Sequence, residues 1–354
     1  MLSFKFSPDI HSTYDVFPLP RQLENELYLA KYDDRYEHIE ASSIGAKKPY
    51  ICSIGKAKVL GETNIILNSK NLYSPSTLVF NPLNPGKIFN NQNQLFSKSS
   101  NETFHFRGSL YQSVSEAIFL GTHPNFGHWL FNHMARLIYF FDSSINTNII
   151  ISQSAPRSHV ECLLKLGIPA ERILIVTPET VLNVGNLFVP IMPWHCLEDN
   201  SSWWTPNSFE HIRNMFGINS GSGTGEKLIY LTRSNTKWRR VTNEIKLFER
   251  LEQLGFEMID PGKMSIDEQL LLAQQTRLAI SPMGAGSNYF LFMKDGTRFI
   301  ELTPQNKLMN VSPMFAKRSQ IKFQQVLGAP KPSAGQNELD SDFEVDIEAL
   351  IKLL

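Results

Sequence analysis

Arg233, Lys237, Arg239 and Arg240 place four cations within the eight residues RSNTKWRR. Gly284-Ala285-Gly286-Ser287-Asn288 follows later as a glycine turn. Glycines let backbone N–H groups come close to a ligand, and a helix start beyond them adds unpaired donors and partial positive charge. Arginines beside such a turn can grip a phosphate with two N–H groups at once. Together these residues suit a diphosphate carrying a sugar. The competing reading is a solvated basic loop and a turn that only turns the chain. A nicotinamide site is disfavoured, because G-x-G lacks its later glycine and would not follow the first strand of its domain.

A second group lies in GTHPNFGHWLFNHMARL, residues 121–137, which holds His123, His128, His133 and Arg136. Histidines five apart fall about 140° apart on an α-helix, so His128 and His133 do not share a metal-facing side. General base chemistry suits them better, since an imidazole titrates near neutrality and can take a proton from a sugar hydroxyl. His128 sits where a loop enters a helix and is the first candidate, with His133 the second. Trp129 stacks on a sugar or packs inside. Arg136, three residues beyond His133, reaches an anion or pairs with an acid. A buried, hydrogen-bonded histidine remains the alternative for His128.

The elements that carry these residues are clearest in the second half. KLIYLT, 227–232, reads as a buried strand. Asn243 reads as the N-cap of a helix that faces inward with Leu247, Phe248, Leu251 and Leu254 and stops at Gly255. Strands at 256–259, 278–281 and 297–302 follow, with a Ser265/Glu268 capping box between the first two and Ser287 capping a short helix after the second. Such alternation predicts a parallel sheet with helices on its faces, whose ligands bind beyond the carboxyl ends of the strands. Glu301 then ends the fourth strand at that rim, accepting from a ribose or sugar hydroxyl or serving the fold. In the first half, short runs such as 50–54 and 64–67 read as strands. From about residue 117 the pattern becomes α/β: a helix near 129–140, a strand at 148–152, a helix near 158–166 and a strand at 172–177. GINSGSGTGE, 217–226, reads as a flexible linker.

The composition narrows the function classes. The chain has 354 residues, enough for two cores, and its 34 Lys and Arg balance 34 Asp and Glu. That balance speaks against a nucleic-acid partner. The N-terminus lacks a basic start followed by an apolar run, and no stretch nears the roughly 20 apolar residues of a membrane span. Cys52, Cys162 and Cys196 are too few and too scattered for a disulfide frame or a zinc site.

At these motifs the sequence resembles glycosyltransferase family 61. The likeness rests on Asn125-Phe-Gly-His-Trp129 before a helix ending in Arg136-Leu137, and on a strand ending in Arg233 before Arg240-Val-Thr-Asn243-Glu244. It continues through Gly255-Phe256-Glu257, Glu268-Gln269, the glycine turn with Asn288, and Glu301-Leu302. The resemblance covers roughly residues 121–327. Met283 departs from the histidine that many members carry before the turn. Asn132 and His133 stand where many have an acid, which leaves the base open.

The resemblance implies an α/β GT-B-like fold, two Rossmann-like domains facing across a cleft. An acceptor-side domain would span 1–216, irregular or β-rich over 1–100 and α/β over 101–216. A linker at 217–226, a nucleotide-sugar domain at 227–340 and a C-terminal helix at 341–354 would follow. It implies inverting transfer from a nucleotide-sugar, a UDP-sugar first, to a hydroxyl of a glycan or lipid-linked glycan, without a cofactor or bound metal. Donor contacts would come from Arg233, Lys237, Arg239, Arg240, Gly284, Ala285, Gly286, Ser287, Asn288 and Glu301. Asn125, Trp129 and Arg136 would meet the acceptor or leaving group, and His128 or His133 would act as base. With neither leader nor anchor, the expected setting is the bacterial cytoplasm, at the inner face of the membrane, building capsule or lipopolysaccharide. A non-catalytic glycan- or nucleotide-binding protein and a nucleotide-sugar epimerase are the rival readings.

Overall fold

In a computed structural model of the chain, the described residues are 1–6, 15–18, 26–30, 36–40, 50–63, 65–69, 72–73, 95–98, 103–121, 123–137, 146–190, 194–196, 202–204, 212–218, 225–304, 321–332 and 340–354. Its contacts divide into two compact units. One comprises Met1–Tyr28, His38–Leu197 and Ser202–Ser208; the other comprises Leu29–Glu37, Glu198–Ser201 and Phe209–Leu354.

The first unit is built on a sheet whose four parallel neighbours run Ile173–Val176, Asn148–Ser152, Leu110–Phe119, Thr180–Pro190. Counted along the chain, their spatial order is third, second, first, fourth. The chain therefore reverses its winding between Leu110–Phe119 and Thr180–Pro190, the place where doubly wound sheets bind ligands. Antiparallel strands extend the sheet from Thr180–Pro190, namely Tyr50–Ser53, Asp15–Pro18 and the Ala57–Leu60/Ile65–Asn68 hairpin. Val59, Ile66, Phe119, Ile150, Leu182 and Leu187 pack into its core. The strand at 148–152 lies where its NIIIS run placed it. The two longest strands of this sheet, Leu110–Phe119 and Thr180–Pro190, were not foreseen, because polar residues interrupt both.

The second unit follows the predicted alternation closely. Its sheet runs Phe256–Ile259, Lys227–Leu231, Thr276–Pro282, Arg298–Pro304, Lys322–Lys331, Asp342–Glu344, parallel except for the last pair. Helices Glu244–Glu252 and Ile266–Gln275 and the 3-10 helix Ala285–Phe292 make the crossovers. The winding reverses between Lys227–Leu231 and Thr276–Pro282. Leu247, Leu251, Ile280, Ile300, Phe343 and Leu350 share one core, while Phe290, Phe299 and Phe323 form an aromatic set.

Several local expectations need correction. Ser265 and Glu268 do form the capping box. Asn243 precedes its helix but makes no capping bond, because Val345 takes its amide on both sides, at 2.8 and 3.1 Å. Leu254 is exposed. Gly284, not Ser287, stands at the N-cap of the short helix, and the Ser287 hydroxyl bonds back to the Gly284 carbonyl at 2.7 Å. The C-terminal segment begins as the strand Asp342–Glu344 and becomes a helix only at Ile347–Ile351.

Of the expected linker, residues 219–224 lie outside the described residues. Just before them, Arg213 donates to the Leu291 and Met293 carbonyls and pairs with Asp295 at 2.7 Å, so its segment packs with the second unit. No described helix is long and apolar enough to cross a membrane.

Candidate active site

In the second unit the basic loop and the glycine turn leave adjacent strands at the reversal point, and they meet there. The Arg233 guanidinium packs on the α-carbon of Gly284; an added methyl would stand 2.0 Å from Nη1. Arg233 Nη2 also donates to the Trp238 carbonyl at 3.3 Å. Thr236 closes the loop by donating from its hydroxyl to the carbonyls of Arg233 and Trp238.

Arg239 adopts φ 56°, the only positive φ of a non-glycine among the described residues. A left-handed residue with a side chain costs on the order of 1 kcal/mol or more, and such strain gathers at functional sites. The Arg239 amide donates to the Asp340 carbonyl at 3.2 Å, and its Nε lies 3.8 Å from the Asp340 carboxylate.

Burial dominates the electrostatics here. It pulls the Arg233 pKa down to about 10, and the neighbouring Arg239 charge adds to the fall. Burial lowers Arg239 too, against the pull of Asp340 and Glu301. Two half-buried guanidiniums that repel each other favour a bound anion, which would relieve both. The Nε atoms of both arginines are buried without a hydrogen-bond partner.

Other sequence-predicted donor residues divide. Arg240 is committed elsewhere: Nε and Nη2 bond Asp342 at 3.0 and 2.6 Å, and its amide bonds the same carboxylate at 2.8 Å. It anchors the loop to the last strand, a correction to its expected place on the donor. Glu301 is not at the rim but in the middle of its strand, fully buried, with its carboxylate accepting from Gln325 at 3.0 Å.

Lys237 is exposed, and Ala285, Gly286 and Asn288 are half-buried beside the turn. Asn288 donates to the Ala285 carbonyl. The turn's amides are less bare than expected, since Gly284 N donates to Ser287 Oγ at 3.3 Å. More of the donors without a partner here therefore belong to the guanidiniums than to the turn's backbone.

In the first unit the loop after Leu110–Phe119 also opens at the reversal point, and it carries the histidines. Asn125 caps the next helix, its side-chain oxygen accepting from Gly127 N and His128 N at 2.9 and 3.3 Å. His123 Nδ1 accepts the Asn125 amide at 3.0 Å, and its ring meets His128 edge-on at 4.5 Å. Burial, then His128, bring His123 down to about 4.

The helix is not a plain α-helix. After one turn it becomes a π-helix over Trp129–His133, with Met134 N reaching Trp129 O, and then 3-10 over Met134–Leu137. The α-helical angle between His128 and His133 therefore does not apply, because π hydrogen bonding links residues five apart. Even so, among the described residues no group of three or more His, Cys, Asp or Glu is arranged to hold a metal ion.

Trp129, His133 and Arg136 are all buried. His133 Nδ1 and Arg136 Nη1 both donate to the Leu120 carbonyl, at 2.8 and 2.9 Å, and so pin the strand exit to the helix. Burial and the Arg136 charge hold His133 far below its usual pKa. That corrects its expected role as base: it is a sealed support. Trp129 lies against the His159 ring at 4.3 Å, nearly parallel, and presents no face to solvent, so it packs inside instead of meeting a sugar.

His159 was missed from the sequence, where nothing in RSHVECLLK marks it. It is fully buried, with both ring nitrogens lacking a hydrogen-bond partner, and desolvation takes it to about 4. Below it, burial pushes the Cys162 thiol up to about 12, which makes it inert. His128 is thus the half-buried histidine of the helix, while His133 behind it is sealed.

Comparison with known proteins bears on the same residues. Residues 126–300 match the family model described as Glycosyltransferase 61, just under half of the chain, from the histidine helix to the strand that holds Glu301. No curated protein matches. Among solved structures the chain is similar to TibC, described as a bacterial iron-containing dodecameric glycosyltransferase from enterotoxigenic E. coli. The identity is 10% and the TM-score 0.29, over 82% of this chain and 76% of that one, and a likeness at that level carries no argument.

Proposed function

Because the chain is a glycosyltransferase, with a family 61 match over residues 126–300, we propose that its second unit holds the diphosphate of a nucleotide-sugar between Arg233, Arg239 and the Gly284 turn. The observation that carries this reading is the Arg233 guanidinium seated on the Gly284 α-carbon at the reversal point of the sheet. A UDP-sugar is the donor the reading favours, and a hydroxyl of a glycan or lipid-linked glycan is the acceptor.

In this mechanism His128 takes the proton of the acceptor hydroxyl. The oxygen attacks the anomeric carbon from the side opposite the leaving group, and the sugar inverts. The bond to the diphosphate breaks, and the guanidiniums stabilise the charge that develops on the departing oxygen. Glu301 stays buried in its strand, where its charge helps keep Arg239 protonated. His133 and Arg136 hold the Leu120 carbonyl and so set the loop that bears His123 and Asn125.

The same reading takes the two units as the halves of a GT-B enzyme. It places the reaction on a bacterial surface glycan, capsule or lipopolysaccharide, at the cytoplasmic face of the membrane. The test is Arg233→Ala. Calorimetry with UDP should show affinity lower by about 10-fold or more, the worth of a charge-assisted hydrogen bond. Unchanged UDP affinity in the folded variant overturns the site.

A further inference from the structure

Trp238 lies between the two arginines of the candidate site in sequence, and neither the fold nor the mechanism above uses its ring. The indole is 41% exposed. Among the described residues it belongs to none of the hydrophobic clusters, in contrast to Trp129, which is fully buried. Its backbone, however, is held firmly.

The Trp238 carbonyl accepts from Arg233 Nη2 at 3.3 Å and from Thr236 Oγ1 at 3.2 Å. Thr236 is tied to the Arg233 carbonyl by both its amide and its hydroxyl. Asn235 donates to the Asp260 carboxylate at 2.9 Å. On the other side Arg239 reverses the chain at φ 56° and Arg240 is bound to Asp342. Strain and hydrogen bonds thus hold the backbone that carries a large, flat, partly exposed ring, and its carbonyl is bonded to the guanidinium proposed to seat the phosphate.

We propose that the Trp238 indole stacks on the nucleobase of the donor and so discriminates a nucleoside diphosphate from a bare diphosphate. This inference rests on the phosphate site proposed above. A braced aromatic needs little further ordering when it binds, so it adds affinity without a large entropic cost. Every nucleobase offers a π-face to such a ring. The chemistry that fits the loop is therefore a planar heterocycle at one end and two phosphates at the other, the two ends of a nucleotide-sugar donor short of its sugar.

The full chain, Trp238→Ala and Trp238→Phe are titrated calorimetrically with UDP and, separately, with inorganic pyrophosphate. Trp238→Ala should weaken UDP by about 10- to 100-fold, the range of a lost base–aromatic stack, and leave pyrophosphate affinity unchanged. Trp238→Phe should keep most of the UDP affinity. If Trp238→Ala binds both ligands as the unaltered chain does, the stacking role is overturned and the phosphate site stands. If it loses both equally, the residue only supports the loop, and the stacking role is again overturned. If the unaltered chain binds neither ligand, the phosphate site itself falls.

Discussion

The Arg233 guanidinium rests on the α-carbon of Gly284 so closely that a methyl group there would meet Nη1 at 2.0 Å and Cζ at 2.5 Å. Two residues far apart in sequence thereby form one surface, and the glycine is required by that approach. At Gly286 an added methyl would meet nothing within 4 Å.

Gly284→Ala should therefore act through Arg233. The side-chain atoms displaced belong to the end of a long side chain, but Gly284 sits at φ 158°, which a residue with a Cβ rarely adopts, so the melting temperature should also fall while the fold survives. UDP affinity should drop by about 10-fold, as the guanidinium leaves its seat. Calorimetry on the folded variant checks this, and wild-type affinity would show that the seat is unimportant.

Arg240→Ala should separate from Arg233→Ala. It leaves the buried Asp342 carboxylate without its cation, and an unpaired buried charge destabilises. The melting temperature should fall, while UDP affinity measured well below the transition stays near that of the unaltered chain. The reverse pattern, an unchanged melt with lost affinity, would return Arg240 to the donor.

His128→Ala should lower turnover by about 10²–10⁴-fold if the imidazole is the base. Donor affinity should hold, because the proton His128 takes in this mechanism belongs to the acceptor hydroxyl. Steady-state kinetics paired with UDP titration decide it; near-normal kcat would leave His128 a structural role.

His159→Phe should flatten the acid limb of stability. Desolvation, with His123 adding, takes His159 from an ordinary 6.5 to about 4 in the folded chain. Between those values the unfolded state binds more protons, so stability is full above about 6.5 and is lost as pH falls towards 4. Phenylalanine keeps a flat ring against Trp129 and cannot titrate. Melting temperatures at pH 7.5, 6 and 5 should fall less in the variant than in the unaltered chain, and parallel curves would sink the assignment.

Much of the second unit was legible because parallel strands covered on both faces read as apolar runs, such as Lys227–Leu231, cut by clear caps such as Ser265 with Glu268. The arginine loop and glycine turn could be placed together once those strands were in order. The first unit was harder. Leu110–Phe119 is exposed along most of its length, so its residues follow no single burial pattern, and the histidine helix leaves the α period at Trp129. Nor could spacing reveal that Asp342 lies against Arg240, since the parallel bridge of Val241 to Phe343 that brings them together joins segments about a hundred residues apart.

The sequence by itself determined which chemistry was at hand: guanidiniums, a glycine turn and a run of histidines, with a strand–helix alternation able to bring the first two to one edge. Tertiary structure alone decided what each group is free to do. Trp129, His133 and Arg136 look as available as His128 when written out, yet packing seals them. Arg240 looks like Arg233, yet a carboxylate from the far end of the chain claims it. Residue type sets what a side chain can bind, but burial and prior partners set what it still has to offer, and both arise only when distant segments meet.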